Sequence, residues 1–139
     1  MILLDTNVLS ELTKPQPDAR VVGWLRRSAP ALALPTIALA EMAFGIEKLA
    51  EGRRREELLE ALRRLVVEFA DRLLDFNVRA AWAYGRILAS ARRAGRPMTV
   101  PDALIAAIAE ANGCALATRN VNDFATTGLD LVDPWRSER

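Results

Sequence analysis

The sequence begins Met1-Ile-Leu-Leu-Asp-Thr-Asn-Val-Leu-Ser10, and this stretch decides the fold class. Three apolar residues, Ile2 to Leu4, lead directly into the carboxylate of Asp5. A short apolar run that ends at a capping signal is typical of a strand buried on both faces of a parallel sheet. Ligands of open α/β sheets bind beyond the carboxyl ends of such strands. Asp5 is therefore either the first group of a polar site or the N-cap of the next helix, and these ten residues favour the two interpretations equally.

The bulk composition narrows the protein class. With 139 residues, half of them hydrophobic, we expect one globular domain over residues 1–139. The single cysteine, Cys114, excludes an internal disulfide and points to a reducing compartment. No apolar run is long enough for a signal peptide or a bilayer span, so we expect a cytoplasmic protein without membrane association.

The absence of histidine limits the catalytic mechanisms and the metal sites that this chain can form. It excludes Ser-His-Asp and Cys-His catalysis and disfavours zinc. The net charge of +1 gives no global signal for nucleic acid, although the arginines are clustered. For residues 53–64 the glutamates at helical spacing favour a solvated, ion-paired helix face over a phosphate site.

Apolar periodicity and capping residues predict an alternation of strands and helices. The predicted strands cover residues 2–4, 31–34, 73–76, 114–118 and 129–132. The predicted helices cover residues 7–14, 19–27, 37–50, 52–73, 78–94 and 102–112. This alternation predicts a three-layer α/β/α sandwich with a mainly parallel central sheet.

The helix predicted over residues 37–50 contains one anomalous residue, Glu41. Its first turns are apolar on almost every side, which is typical of a buried helix. An ionised carboxylate in such a helix is costly unless it is paired or holds a metal, and Lys48 lies seven residues away, too far for a direct helical pair. We favour a functional role for Glu41 over a glutamate that reaches solvent through a gap in the packing.

Three other acids follow strands or begin helices. Asp102 starts a second strongly apolar helix, where the helix dipole alone favours a carboxylate, so it is by itself more typical of a cap. Asp123 lies just past the strand that ends at Thr118. Asp75 also follows an apolar pair, but Asn77 indicates a strand end and a helix cap there without any ligand.

The locations of Asp5, Glu41, Asp102 and Asp123 can converge on one edge of a parallel sheet. A cluster of carboxylates stays ionised only when cations compensate it. Oxygen ligands without histidine select Mg²⁺ or Mn²⁺, which activate water and stabilise the attacking and leaving oxygens in phosphoryl chemistry. The acids therefore predict a metal site suited to phosphoryl chemistry.

Four stretches in this order and at these spacings resemble the PIN-domain toxins of bacterial type II toxin–antitoxin modules, in particular the VapC and FitB group. The stretches are Leu3-Leu-Asp-Thr-Asn-Val-Leu9, Leu39-Ala-Glu-Met-Ala-Phe-Gly-Ile46, Asp102-Ala-Leu-Ile-Ala-Ala-Ile108 and Leu116-Ala-Thr-Arg-Asn-Val-Asn-Asp-Phe124. The resemblance covers essentially the whole chain, including the final Leu131-Val-Asp-Pro-Trp135. It implies a PIN-like fold and a metal-dependent endoribonuclease.

The resemblance also assigns residues. Asp5, Glu41 and Asp102 match the three core metal-binding acids of the family, and Asp123 matches its fourth, more variable acid. Thr118 matches a hydroxyl residue that supports the site, and Asn7 matches a polar residue beside the first acid. With Mg²⁺ or Mn²⁺ bound, water would attack the RNA phosphodiester in line and leave a 5′-phosphate and a 3′-hydroxyl. By its position Arg119 is the arginine expected to hold the RNA backbone.

As partners the resemblance implies an RNA substrate, a cognate antitoxin and a second copy of the chain in a homodimer. The apolar residues of the first two helices either offer surface for these contacts or belong to the core: Val8, Leu9, Leu12, Val22 and Trp24. Two other functions stay open. One is a non-catalytic binding module with the PIN fold. The other is a phosphotransfer enzyme of the haloacid-dehalogenase kind, which is disfavoured because Asn7 stands where that chemistry usually has a second aspartate.

Overall fold

The computed structural model describes residues 1–136, and its centre is a parallel sheet of five strands. The strands are β1 (Ile2–Leu4), β2 (Leu32–Pro35), β3 (Leu73–Leu74), β4 (Ala115–Ala117) and β5 (Leu131–Val132). Their order across the sheet is β3-β2-β1-β4-β5, and every pairing is parallel. All five carboxyl ends therefore lie at one edge, and β1, with Asp5 after it, is the central strand.

Six α-helices connect and cover these strands in residues 1–136. They are α1 (Thr6–Glu11), α2 (Ala19–Ser28), α3 (Thr36–Glu47), α4 (Arg53–Glu68), α5 (Val78–Arg93) and α6 (Val100–Ala111). Short 3-10 turns cover Ala29–Ala31, Val121–Phe124 and Pro134–Arg136. Among these residues, no helix combines the length and the apolar character that a bilayer span requires.

Two hydrophobic cores lie on opposite faces of the sheet, which confirms the predicted three-layer sandwich. Leu4 and Leu34 point to the face that α1 to α4 cover, whereas Leu3 and Ala33 point to the face that α5 and α6 cover. Successive strand residues face opposite sides, so a strand covered on both sides must be apolar throughout. This explains the uninterrupted apolar run before Asp5.

The helix boundaries differ from the prediction mainly at α4. The helix predicted over residues 52–73 ends at Glu68. A turn follows, and Arg72 leads from it into β3. In this turn the Arg72 amide donates to the Phe69 carbonyl at 2.8 Å. The solvated arginine face predicted for this helix agrees with an exposed Arg63–Glu60 ion pair at i, i+3 spacing.

The premise that α3 is buried on all sides is wrong. Its inner face, with Ala38, Met42 and Ile46, packs in the core, but Phe44 on the outer face is 65% exposed. The helix lies on the sheet with one side only, and apolar residues continue onto its outer surface. Of the apolar residues on the first two helices, Val8, Leu9 and Trp24 are core, Val22 is half-buried and Leu12 is exposed.

Helices α5 and α6 end at the glycines that the sequence predicts as their C-terminal caps. Gly95 after α5 and Gly113 after α6 adopt the left-handed conformation, with φ of 71° and 64°. The residue after each glycine then donates its amide back into the helix, Arg96 to Ala91 and Cys114 to Ala109, both at 2.9 Å. The turn at Gly95 directs Arg96 toward the N-terminal end of α6, and the turn at Gly113 leads the chain into β4.

Candidate active site

Asp5 occupies both roles that the sequence left open. It caps α1 by accepting the Thr6 amide on Oδ1 at 2.8 Å, and its Oδ2 accepts the Thr118 hydroxyl at 2.8 Å. Only 4% of Asp5 is exposed, and this burial raises the pKa of its carboxyl to about 6. The two hydrogen bonds lower the pKa, and the nearby charges of Asp102 and Glu41 raise it.

Glu41 lies on α3 and is half-buried beside the first turn of α1. Its Oε1 accepts the Thr6 hydroxyl at 2.8 Å. Thr6 therefore contacts both acids: its amide binds Asp5 and its side chain binds Glu41. This bond, between residues 35 positions apart, explains how an acid in an apolar helix is oriented toward the end of β1.

Asp102 lies in the first turn of α6, where Thr99 is the N-cap and accepts the Asp102 amide at 3.3 Å. Its carboxylate is half-buried, and burial is the main cause that raises its pKa. The negative charges of Asp123 and Glu41 raise it further. Asp102 thus lies within electrostatic reach of the other three acids, since its charge also acts on Asp5.

Asp123 is exposed and belongs to the 3-10 turn after β4. With Asn122 and Asp102 it lines a cavity on one side of α6. Asp5, Glu41 and Asp102 line the adjoining cleft at the carboxyl edge of the sheet, so Asp102 joins the two spaces. The structure therefore places the four predicted acids around two adjoining spaces rather than at a single point. Asp75, past β3, does not line either space, and Asn77 caps α5 as predicted.

The two predicted supporting residues form a polar network behind Asp5. Thr118 is fully buried, and its hydroxyl accepts the Asn120 amide at 3.0 Å while donating to Asp5. The side-chain amide of Asn7 donates to the same hydroxyl at 3.4 Å, and its oxygen accepts the Arg119 amide at 3.3 Å. A satisfied network of this kind fixes the orientation of its members. It ties the end of β4 to the start of α1.

Sequence reasoning missed six residues that line the cleft: Thr6, Ser10, Glu11, Lys14, Asn120 and Trp135. Glu11 is buried and accepts the Lys14 ammonium at 2.8 Å and the Asp18 amide at 2.8 Å. The i, i+3 spacing of Glu11 and Lys14 was a visible signal for this pair. Thr6 and Trp135 make their contacts across long sequence separations, so local patterns gave no signal for them.

The donor set fits a hard divalent cation. Within residues 1–136 none of the four acids forms an ion pair with lysine or arginine. Carboxylate oxygens that are mutually repulsive and partly desolvated are the ligands that Mg²⁺ and Mn²⁺ prefer. No three acids of the described chain lie close enough to form a finished ligand set. Binding of an ion therefore requires at least one of these side chains to move toward the others.

Comparisons with known proteins identify the family of the chain. The family model described as "PIN domain" matches residues 2–128. The chain is 42% identical to the plasmid stability protein StbB of Pseudomonas syringae pv. tomato, over 99% of this chain and 100% of that protein. It is 38% identical to the VapC ribonuclease Y4jK of Sinorhizobium fredii, over 97% and 98% of the two chains.

A solved structure gives the same result for the fold. The crystal structure of FitAcB from Neisseria gonorrhoeae superposes with a TM-score of 0.92 at 35% identity. The match covers 99% of this chain and 100% of that one. The likeness therefore extends over the whole chain, including the strands and helices that carry the four acids.

Proposed function

The chain belongs to the PIN-domain family, and from this premise we propose that it is a metal-dependent endoribonuclease, the toxin of a type II toxin–antitoxin module. One observation carries the proposal. Asp5, Glu41, Asp102 and Asp123 line two adjoining spaces at the carboxyl edge of the sheet, and within residues 1–136 none of them forms an ion pair. The similarity of the whole chain to a VapC ribonuclease supports RNA as the substrate.

The acids would hold Mg²⁺ or Mn²⁺ through their carboxylate oxygens. When bound, the cation supplies Lewis acidity: it lowers the pKa of water and stabilises charge on the reacting phosphate oxygens. Asp5 is the most buried of the four acids, and the Thr118 hydroxyl fixes the direction of its Oδ2. Glu41 is directed toward the same space by the Thr6 hydroxyl. These bonds orient two of the ligands before substrate arrives.

Arg119 supplies the cationic group for the RNA backbone. It lines the cleft with Asp5, Glu41 and Asp102, and its own backbone amide is anchored on Asn7. A guanidinium beside a carboxylate cluster lets one cleft bind phosphate while the acids bind the cation. Asn7 uses both ends of its amide in this network, which does not fit a second catalytic aspartate at its position.

The direct test is RNA cleavage by the purified, partner-free protein with Mg²⁺ or Mn²⁺ and again with EDTA, beside Glu41→Gln. We expect cleavage that requires both the metal and Glu41. Glu47→Gln is the matched control, because Glu47 lies on the same helix but pairs with Arg55 outside the cleft. Metal binding without cleavage of any RNA tested would indicate a narrow target. Failure of both would favour the non-catalytic binding module.

We also propose the two protein partners that the family implies, an antitoxin and a second copy of the chain. An apolar groove between α1, α2 and α4 supports a helical partner segment. It is lined by Leu12, Val22, Leu25, Leu65 and Phe69, with further apolar residues at its base. Leu25→Glu is expected to weaken capture of the antitoxin without changing RNA cleavage. Light scattering on the isolated chain measures its oligomeric state.

A further inference from the structure

Trp135 is a core residue with one side open to the active-site cleft. It lies in the 3-10 turn after β5, where its amide donates to Asp133 Oδ1 at 2.9 Å. Its indole belongs to the hydrophobic core that contains Val21 and Trp24, and only 7% of the residue is exposed. That remaining surface lines the cleft that contains Asp5. The indole is therefore held rigidly while it borders the site.

The guanidinium of Arg119 lies over this ring, with its central carbon 5.0 Å from the ring centroid. A cation over a ring face is attracted by the ring quadrupole and needs no hydrogen bond, so this contact leaves the five N–H donors of the guanidinium for other partners. Within residues 1–136 no carboxylate or carbonyl oxygen accepts from these donors. The ring thus holds the cation without consuming its hydrogen-bonding capacity.

A second arginine shows the alternative arrangement. Arg72 lies over the Phe69 ring at 4.5 Å, but its donors are used by the carbonyls of Ala29 at 2.8 Å and Leu32 at 3.2 Å. Arg72 therefore joins segments of the fold. Arg119 has the same aromatic support and has its donors available, which is the arrangement required to bind an anion from outside.

The backbone of Arg119 is fixed to the same network as the catalytic acids. It follows Thr118, which donates to Asp5, and its amide donates to Asn7. The side chain is fixed at its other end by Trp135. A guanidinium held at both ends loses little rotamer entropy when it binds a phosphate bidentately.

We infer that Trp135 is a positioning residue, whose indole face holds the Arg119 guanidinium in the cleft so that its free donors bind a phosphate of the RNA backbone. The inference rests on the proposed function and deepens it. It assigns a role in substrate binding to the 3-10 turn that follows the last strand of the sheet.

The test is steady-state cleavage of one RNA oligonucleotide by wild type, Trp135→Leu, Arg119→Ala and the double variant. Removing Arg119 is expected to raise KM roughly 10- to 100-fold, as for loss of a charged hydrogen bond. Trp135→Leu keeps an apolar side chain but removes the π face, and is expected to raise KM about two- to fivefold with little change in kcat. In the Arg119→Ala background the same substitution is expected to change KM no further.

Phe44→Leu is the matched control, because it removes another cation-supporting ring, the one beneath Lys48, outside the acid cleft. It is expected to leave KM unchanged. A KM increase from Trp135→Leu that is equally large in both Arg119 backgrounds would overturn the inference, because Trp135 would then act through the fold alone.

NMR gives a readout that does not depend on cleavage. The ring current is expected to shift the Arg119 Nε–H proton upfield in wild type, and Trp135→Leu is expected to reverse the shift. An unshifted resonance in wild type contradicts the positioning contact itself. A shifted resonance with unchanged KM in Trp135→Leu overturns the inference only. A wild type that neither binds nor cleaves RNA overturns the proposed function and, with it, the phosphate role of Arg119.

Discussion

The acids of the cleft and the acids of the outer helices differ in what compensates their negative charge. On the outer surface Glu110 of α6 pairs with Arg86 of α5, and Glu47 of α3 pairs with Arg55 of α4. In the cleft Asp5 and Asp102 are partly or fully desolvated and have raised pKa values, with other carboxylates as neighbours. These two surface acids are neutralised by arginines, whereas Asp5 and Asp102 form no ion pair within residues 1–136 and lie beside other carboxylates, so that a cation from outside has to compensate their charge. That difference is what identifies the site.

The largest expected effect is on the most buried cleft acid. Asp5→Asn keeps the shape of the side chain and its acceptor for the Thr6 amide, but removes the charge that would hold the cation. We expect RNA cleavage to fall by roughly 10³-fold, since the metal supplies several kcal/mol of transition-state stabilisation. Single-turnover cleavage with Mg²⁺ measures it. Asp130→Asn, an exposed acid outside the cleft, is the control and should cleave like wild type.

The burial of Asp5 also makes the stability of the metal-free protein depend on pH. The pKa of Asp5 is raised from 3.8 to about 6 on folding, so the folded state binds more protons than the unfolded state between these pH values. The free energy of unfolding therefore falls by about 3 kcal/mol in all as pH rises through this window, and it stays at the lower value above pH 6.

Urea unfolding in EDTA from pH 4 to 7, for wild type and Asp5→Asn, isolates this effect. Glu11 and Asp18 have lowered pKa values and contribute the opposite slope, but they are common to both proteins. We expect the variant to become the more stable protein as pH rises. A difference between the two proteins that stays constant across this range would contradict the desolvation account of Asp5.

A smaller effect is expected from the hydroxyl that orients Asp5. Thr118→Val keeps the buried volume but removes the donor to Oδ2 of Asp5. Loss of such an orienting partner typically weakens metal affinity about 10- to 100-fold. Calorimetric titration with Mn²⁺ measures it, and Thr118→Ser, which retains the hydroxyl, should restore most of the affinity. Equal affinity in the valine and serine variants would mean that Thr118 only fills space.

The smallest effect is expected on the outer surface. Glu110→Gln breaks the ion pair with Arg86, and because this pair is largely solvated the loss of stability should be less than about 1 kcal/mol. Cleavage and metal affinity should not change. A loss of cleavage comparable to that of Glu41→Gln would remove the distinction between the two groups of acids.

The fold was predictable because its signals are local. The apolar run before Asp5, the cap at Asn77 and the glycines after α5 and α6 each act within a few residues of their position. The acids of the site were predictable because a carboxylate at a strand end or in an apolar helix conflicts with its surroundings. Glu41 stood out in this way even though the outer face of α3, with Phe44, is exposed.

The contacts that complete the site were not predictable from local patterns. The Thr6 bond to Glu41 joins residues 35 positions apart, and the Thr118 bond to Asp5 joins residues 113 positions apart. The ring of Trp135 beneath Arg119 depends on the packing of the last 3-10 turn against the core. Only the assembled sheet, which places β1 beside β4, brings these groups together.

Titration of the metal-free protein with Mn²⁺ at pH 7 tests the central claim most directly. We expect saturable binding by wild type and by Glu110→Gln, with binding lost in Asp5→Asn. Binding that is unchanged in Asp5→Asn, or absent from wild type at millimolar Mn²⁺, would contradict the claim that the unpaired acids of the cleft form a cation site.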